Sequence, residues 1–566
     1  MGSGDRVEAV APRLAVGPPP APPAAWRRSL PAGDTATLLV GLAVVGLLAV
    51  FVLLPIVQVV TFPPVTDYLG LGENARWVRA TRNTFRMVVL STLTATGVGF
   101  LYGYALSRAE LPARGFFRLV AVLPLFSPPF TLGFSYLLMF GRFGLLTHGL
   151  AGLEVTILGW GSLWAVQTLT NFPYAALAVE RVLAASPGRL EAAARNLGGG
   201  GFAVFRTVTF PLVRPAVAGA ALVIAIYVLA DFANPLIIGG DFPLLATEAW
   251  YRIDGWADLR GATLLAATLL PPALGLFLLE RYWVARRAYA VIAGRGSALD
   301  HAPVAPVVKG LLVAACAAVA GVVLSLYFGV VVGGFTRTWG VDWTPTLERW
   351  TTVVAKADHL RNSVAYGAAA GLAATVLATV AAYLVDQRAV PGRRVVDFLC
   401  VLPAAVPGVF LGIGYLLAFN RPGVPLAGTA LLLILAFTFA NLPFGYQVAR
   451  AGLAQIDRNL AEAAADLGAS RLRILWDVHL RLIFPVCVAA WTTTFISSVT
   501  NLSIAIFLVT PGTQVATFSI LGLIGDNRLE SASALTTALL VSTLVVVGAA
   551  WRLSRRGRLL PGFVGG

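Results

Sequence analysis

Residues 111–144 read LPARGFFRLVAVLPLFSPPFTLGFSYLLMFGRFG, and residues 390–423 read VPGRRVVDFLCVLPAAVPGVFLGIGYLLAFNRPG. The two stretches align without a gap. Pro124 falls on Pro403, Pro128 on Pro407, Gly133 on Gly412 and Tyr136 on Tyr415, all displaced by 279. Further along, Asn171-Phe-Pro173 falls on Asn441-Leu-Pro443 and Ala246-Thr247 on Ala516-Thr517, both displaced by 270. Apolar segments resemble one another by chance, but prolines, glycines and a tyrosine do not keep one offset by chance. The chain therefore reads as two copies of one unit.

What surrounds that unit is decided by composition. Of the 566 residues 58% are hydrophobic and only 12% charged, with a mean hydropathy of +0.79. A soluble domain carries about a quarter charged residues, so this surface is not mostly water-facing. Residues 38–60 hold no ionisable group, and roughly 20 apolar residues span a bilayer core. Apolar runs between charges predict spans near 36–60, 83–107, 117–140, 157–179, 212–239 and 259–283. A second set is predicted near 309–335, 361–385, 395–419, 427–449, 482–509 and 530–551. The expected fold is an all-α membrane protein of about 12 transmembrane helices. Each unit holds an even number of spans, so its six-helix repeats run parallel about an axis along the membrane normal.

The net charge of +15 would suggest nucleic acid in a soluble protein. Here its distribution gives another reading: 29 of the 42 basic residues fall in the tails and in every second loop, including 180–214 and 450–481. That bias places both termini and those loops in the cytosol, with no nucleic-acid partner. The expected organisation is a Pro-rich disordered cytosolic tail at 1–35 and a first repeat at 36–285. A cytosolic linker at 286–308, a second repeat at 309–552 and a cytosolic tail at 553–566 follow. The N-terminal tail has no short apolar core of the signal-peptide kind. Cys316, Cys400 and Cys487 lie far apart in apolar stretches and form no CxxC pair, which reads as inert buried thiols.

The largest cytosolic loop of each unit holds a matched segment, EAAARNLGGGGFAVFRTVTFPLVRP from Glu191 and EAAADLGASRLRILWDVHLRLIFP from Glu462. Each reads as a short Ala-rich helix, a glycine break at Gly198 or Gly468, and a second amphipathic helix leading into a span. The product is a knob with small residues that allow close approach by a partner.

These loops resemble the EAA motif of binding-protein-dependent ABC importer permeases. The resemblance implies the type I importer fold and a coupling helix that docks in a cytosolic ATPase. In the second copy Glu462, Ala463, Ala464 and Gly468 are in register. In the first, counting back from Gly198 puts Ala192 at the acidic position, with Glu191 one place early and Ala193 following. The closing proline, Pro211 in the first copy, is Arg481 in the second. The stretches ADFANPLIIGGDFPLLATEAW (230–250) and ARRAYAVIAGRGS (285–297) resemble the fused two-domain ferric-iron permeases. The resemblance implies two copies of a separate ATPase, a solute-binding protein outside, and ferric iron as cargo. A phosphorylated solute, a polyamine or thiamine is the alternative within the class.

An ionisable group inside a span is a functional candidate. Asp231 is one, with Asn234 a turn later; Asn501 stands at its counterpart, near Ser497, Ser498 and Thr500. In the resembled family the fifth spans line the pathway, so these residues are expected at a polar waist. The alternative is that Asp231 bonds to neighbouring helices or caps a break before Pro235. The third spans should break at Pro124, Pro128, Pro129, Pro403 and Pro407, with Tyr136 and Tyr415 beyond as pathway or interface residues. The four histidines are scattered, so no resident metal or cofactor is expected, and no GxxxxGK[ST] loop for ATP exists in the chain. An ion-driven secondary transporter is the rival reading. It would need several intramembrane charges where the spans offer essentially Asp231, and it gives no reason for paired Glu-Ala-Ala loops.

Overall fold

The computed structural model describes residues 35–186, 188–284, 304–386, 392–421, 426–456, 460, 463–464, 466–469 and 481–556. Most of the expected tails and of the linker lie outside these residues, as does Glu462. The first unit contains α1 (Leu38–Thr61) and α2 (Ala75–Arg108). It continues with α3 (Arg114–Phe126), α4 (Phe130–Phe140), α5 (Trp160–Ala185) and α6 (Gly188–Asn196). Then come α7 (Gly201–Leu229), α8 (Ala233–Ile238), α9 (Leu245–Trp256) and α10 (Leu259–Tyr282). The second unit contains α11 (Pro306–Gly333), α12 (Ala357–Asp386), α13 (Arg393–Ala405) and α14 (Gly408–Phe419). It ends with α15 (Ala430–Leu453), α16 (Leu482–Val499), α17 (Ala505–Leu508), α18 (Ala516–Gly525) and α19 (Leu529–Leu553).

Among the described residues ten helices are long and apolar enough to cross a membrane, eleven if one sharply bent pair counts as one. The expected span at 157–179 is present as α5 but is not among the ten. Gln167, Asn171 and Glu180 dilute its apolar character, and all three are buried, so neighbouring helices shelter them from lipid. The third spans are broken where the prolines sit. Ser127-Pro128-Pro129 separates α3 from α4, and Val406-Pro407 separates α13 from α14, which meet at 113°. The fifth spans are also broken: α7 stops at Leu229 and α16 at Val499, each followed by a few irregular residues and a short helix.

Packing exchanges the first span of each unit. Tyr415 on α14 donates a 2.7 Å hydrogen bond to the Phe51 carbonyl of α1, and Phe51 stacks on Phe419 and Phe439. Gly414 lets α14 approach so closely that a Cβ there would meet the Pro55 carbonyl oxygen at 2.8 Å. On the other side α11 packs against the first unit. Tyr327 hydrogen-bonds Ser127, Lys309 pairs with Glu110 at 2.8 Å, and Gly329 makes room for Met139. A two-stranded hairpin, β1 (Thr336–Thr338) with β2 (Asp342–Pro345), follows α11. Its turn residue Trp339 reaches across to the Leu138 carbonyl at 2.8 Å while its backbone N–H bonds Glu530. The two units are thus interleaved at both ends.

Within each unit the second and fourth spans form the tightest contact. Gly99 and Gly103 bring α2 onto α5, where added Cβ atoms would lie 2.4 Å from the Phe172 carbonyl oxygen and 2.3 Å from that of Ala176. Where apolar burial gives no drive between helices in lipid, small residues that let backbones approach are what hold them.

Candidate functional site

The first Glu-Ala-Ala loop starts from helix chemistry. Gly188–Asn196 is helical through its alanines, and Gly198, at φ +87°, ends it. The Gly198 and Gly199 N–H groups donate back to the Arg195 and Ala194 carbonyls at 2.7 and 3.0 Å, the paired bonds of a Schellman stop. In the second loop Gly468 stands at φ +80°, and Ala469 donates to the Ala464 carbonyl at 3.0 Å. Leu197 donates to Ala193 and Leu467 to Ala463, both at 3.1 Å. Every one of these pairs is displaced by 270. At neither glycine would a Cβ meet any atom within 4 Å, so the positive φ, not crowding, requires glycine there.

The side chains divide into inward and outward sets. Ala192, Ala193 and Gly198 are exposed, as are Ala463 and Gly468, while Ala464 is half-buried. Sequence reasoning passed over the residue just before each glycine. Leu197 is 90% and Leu467 88% exposed, a matched pair of apolar tips, with Phe202 close by at 76%. Their signal was an apolar residue at the same offset in both loops. Glu191 points the other way. It is buried, accepts from Arg108 Nη2 at 3.0 Å and from Thr209 Oγ1 at 3.2 Å, and so ties the loop to α2 and α7. Arg108 also donates to Ser186 at 3.0 Å.

From this anchor α7 runs as one rod to the break at Asp231. There Gln167 Nε2 donates to Asp231 Oδ2 at 2.9 Å, and Ser91 donates to Gln167 Oε1 at 2.8 Å. Asn234 donates to both Asp231 oxygens, at 3.3 and 3.2 Å, and the Asn234 N–H reaches Oδ1 at 3.4 Å. Asn501 does the same local work in the second unit, its Oδ1 accepting from the Ile504 N–H at 3.0 Å. Asp231 and Asn501 therefore each accept the backbone N–H three residues on at a fifth-span break, one through a carboxylate and one through an amide.

The broken third spans meet these breaks at equivalent points. A Cβ on Gly133 would lie 2.6 Å from Asn234 Oδ1, and one on Gly412 would lie 2.6 Å from the Phe507 ring and 3.3 Å from the Ile504 carbonyl. The two units touch here: the Phe232 ring lies 6.4 Å from Phe507, and Trp250 lies 5.4 Å from it. The other candidates are placed differently. Ser498 accepts from Asn441 and donates to the Thr494 carbonyl, and Thr500 donates to Ile496, each bond at 2.8 to 3.1 Å. Ser497 is half-buried. Tyr415 is turned onto α1, whereas Tyr136 stacks on Phe140 at 4.5 Å, so the two tyrosines have unlike surroundings. Among the described residues no group of three or more His, Cys, Asp or Glu side chains could hold a metal ion.

Residues 374–556 match the family described as "Binding-protein-dependent transport system inner membrane component". Over those residues the chain is the permease component of a binding-protein-dependent importer. The permease is 29% identical over 501 residues to a ferric transport system permease protein FbpB of Actinobacillus pleuropneumoniae, covering 86% of this chain and 72% of that protein. It is 29% identical over 450 residues to a putative ferric transport system permease protein FbpB 1 of Haemophilus influenzae, covering 77% and 71%. A probable ABC transporter permease protein y4fN of Sinorhizobium fredii is 27% identical over 516 residues, covering 86% and 89%. The permease is accordingly a multi-pass inner-membrane transport subunit of a system that includes ATPase and solute-binding partners.

Proposed function

We propose that this permease carries ferric iron inward from a solute-binding protein, with two copies of a cytosolic ATPase docked on the loops around Gly198 and Gly468. Both termini and these loops face the cytosol in this reading, and the energy comes from the ATPase, not from this chain. The observation that carries the reading is the pair of exposed, glycine-stopped knobs with the same backbone hydrogen bonds and the same exposed leucine. The iron assignment is supported by the two relatives named as ferric transport permeases.

The geometry gives the coupling a route. A partner that draws the first knob moves α6, and the Glu191–Arg108 and Glu191–Thr209 bonds pass that displacement to α2 and α7. α7 delivers it directly to Asp231, beside the Phe232–Phe507 contact between units. Packed rods with discrete arrangements transmit such a motion. Ferric iron is the substrate here, and Asp231 is the charged group it would meet; Asn234 and Gln167 hold that carboxylate in place.

The test is uptake of radioactive iron into proteoliposomes holding the permease, its ATPase and the iron-loaded binding protein. ATP inside should drive uptake, and Asp231→Ala should lower it by roughly tenfold or more, a loss of about 1.4 kcal/mol on the path, with ATPase binding unchanged. Uptake by the permease alone on a proton or sodium gradient would overturn the reading.

A further inference from the structure

The helix α2 is 34 residues long, well beyond what a bilayer core needs. At a rise of about 1.5 Å per residue, Arg86 lies about 33 Å along the axis from Arg108, close to one hydrocarbon thickness of about 30 Å. Arg108 is fixed beside the first coupling loop through Glu191. Arg86, and Arg79 and Arg82 in the turns before it, therefore sit at the opposite interface of the membrane.

These three arginines are exposed and share one face of α2, and they make no hydrogen bond, ion pair or ring contact among the described residues. Their neighbours at that end are paired. Arg76, one turn earlier, forks onto Glu248 with two 2.8 Å bonds, Arg252 pairs with Asp258, and Arg260 with Asp67. In the second unit the equivalent positions are Asp358, Arg361 and Ala365, where Asp358 and Arg361 neutralise each other at 3.1 Å.

The same face continues down the helix from Arg82 and Arg86 into Val89, Leu93 and Leu101, which are 59%, 67% and 49% exposed. An apolar stripe so exposed along a transmembrane helix is its lipid face, and the arginines are the headgroup-level extension of that stripe. Guanidinium groups at this depth meet phosphate oxygens, whose fork geometry and charge they match.

We propose that Arg79, Arg82 and Arg86 form a binding stripe for anionic phospholipid headgroups of the outer leaflet. The stripe holds α2, and through Gly99 and Gly103 the α2–α5 pair, at a fixed depth while the coupling end moves. The proposal rests on the membrane placement given above.

The experiment uses the permease with its ATPase in nanodiscs of phosphatidylcholine containing a minor share of phosphatidylglycerol. Lipid retained by the re-purified complex is measured by mass spectrometry. The wild type should retain phosphatidylglycerol several-fold above its bulk share; R79Q/R82Q/R86Q should fall to the bulk share, and R260Q, which removes a paired arginine, should not. Unchanged enrichment in the triple variant overturns the proposal. Displacement of the lipid by millimolar inorganic phosphate would assign the stripe to a free anion instead and overturns it too. So does a loss of binding-protein-stimulated ATPase activity by the triple variant in pure phosphatidylcholine, which would make the stripe a protein contact. Iron uptake is not the readout, so a wrong cargo assignment leaves this result intact.

Discussion

The α2–α5 contact of the first unit and the α12–α15 contact of the second are the same joint built with exchanged parts. In the first, Gly99 on α2 faces Ala175 on α5, and an added Cβ at Gly99 would lie 2.6 Å from the Ala175 Cβ. In the second, the equivalents are Ala378 and Gly445, and a Cβ at Gly445 would lie 3.3 Å from that of Ala378. The glycine has moved to the other helix. The charges at the end of the joint nearer the Glu-Ala-Ala loops are exchanged as well. Glu180 on α5 is buried and pairs with Arg114 at 3.2 Å and Arg118 at 3.5 Å. The residues equivalent to Arg118 and Glu180 are Asp397 and Arg450, which pair at 2.7 Å with the sign reversed. What each joint must keep is the close approach and the ion pair, and either helix can supply either part. A half-exchanged joint has neither.

The largest effect should come from crowding. Gly99→Val puts a branched side chain where the Phe172 carbonyl already lies 2.4 Å from a Cβ, so no rotamer fits. The variant should not yield a monodisperse protein in detergent. Gly99→Ala should cost about 1–3 kcal/mol, read as a lowered midpoint in a thermal size-exclusion assay. Adding Ala175→Gly, which copies the second unit, should recover only part of it, because the Phe172 carbonyl stays. Full recovery would mean that the Ala175 methyl is the whole obstacle.

Reversing the buried charge comes next. Glu180→Arg leaves three cations at one buried point, and breaking a buried pair costs about 3–5 kcal/mol. Part of that is relieved here because Arg114 and Arg118 reach water. The double variant Glu180→Arg with Arg118→Asp recreates the second unit's polarity and should restore most of the thermal stability. If the double variant is no better than the single one, the two joints are not equivalent.

The sequence displays this joint only in part. The repeat was legible because Pro124, Gly133, Tyr136 and their counterparts are rigid or unusual residues whose offset survives by itself. The reciprocal swaps were not, because Arg118 opposite Asp397 looks like a mismatch until α5 is placed beside α3. Of the twelve expected spans, ten are helices long and apolar enough to cross among the described residues, the bent pair α13–α14 makes an eleventh if it counts as one, and buried polar groups lower the hydropathy of α5. Asp231 was legible as an intramembrane charge, but not its Gln167 partner, which comes from another helix 64 residues away in sequence. The role of Tyr415 was hidden for the same reason, since its partner Phe51 belongs to the other unit. Glu191 looked like an imperfect match to a docking motif. Its buried bond to Arg108 explains the misfit, since a residue one place earlier on the helix faces inward.

That inward turn sharpens the comparison between the two knobs. Glu191 is held by Arg108 and Thr209, so Ala192, the position in register with Glu462, is exposed and has no carboxylate to offer a partner. If the partner reads the knobs mainly through their apolar tips, Leu197→Ser and Leu467→Ser should each lower stimulated ATPase activity a few-fold. Thermal stability should stay unchanged, because side chains 90% and 88% exposed contribute little to the isolated fold. If instead the partner reads a carboxylate, Leu197→Ser should matter less than Leu467→Ser, and Ala192→Glu should raise coupling through the first knob. The ratio of the two leucine effects thus measures how far a symmetric pair of knobs is used symmetrically.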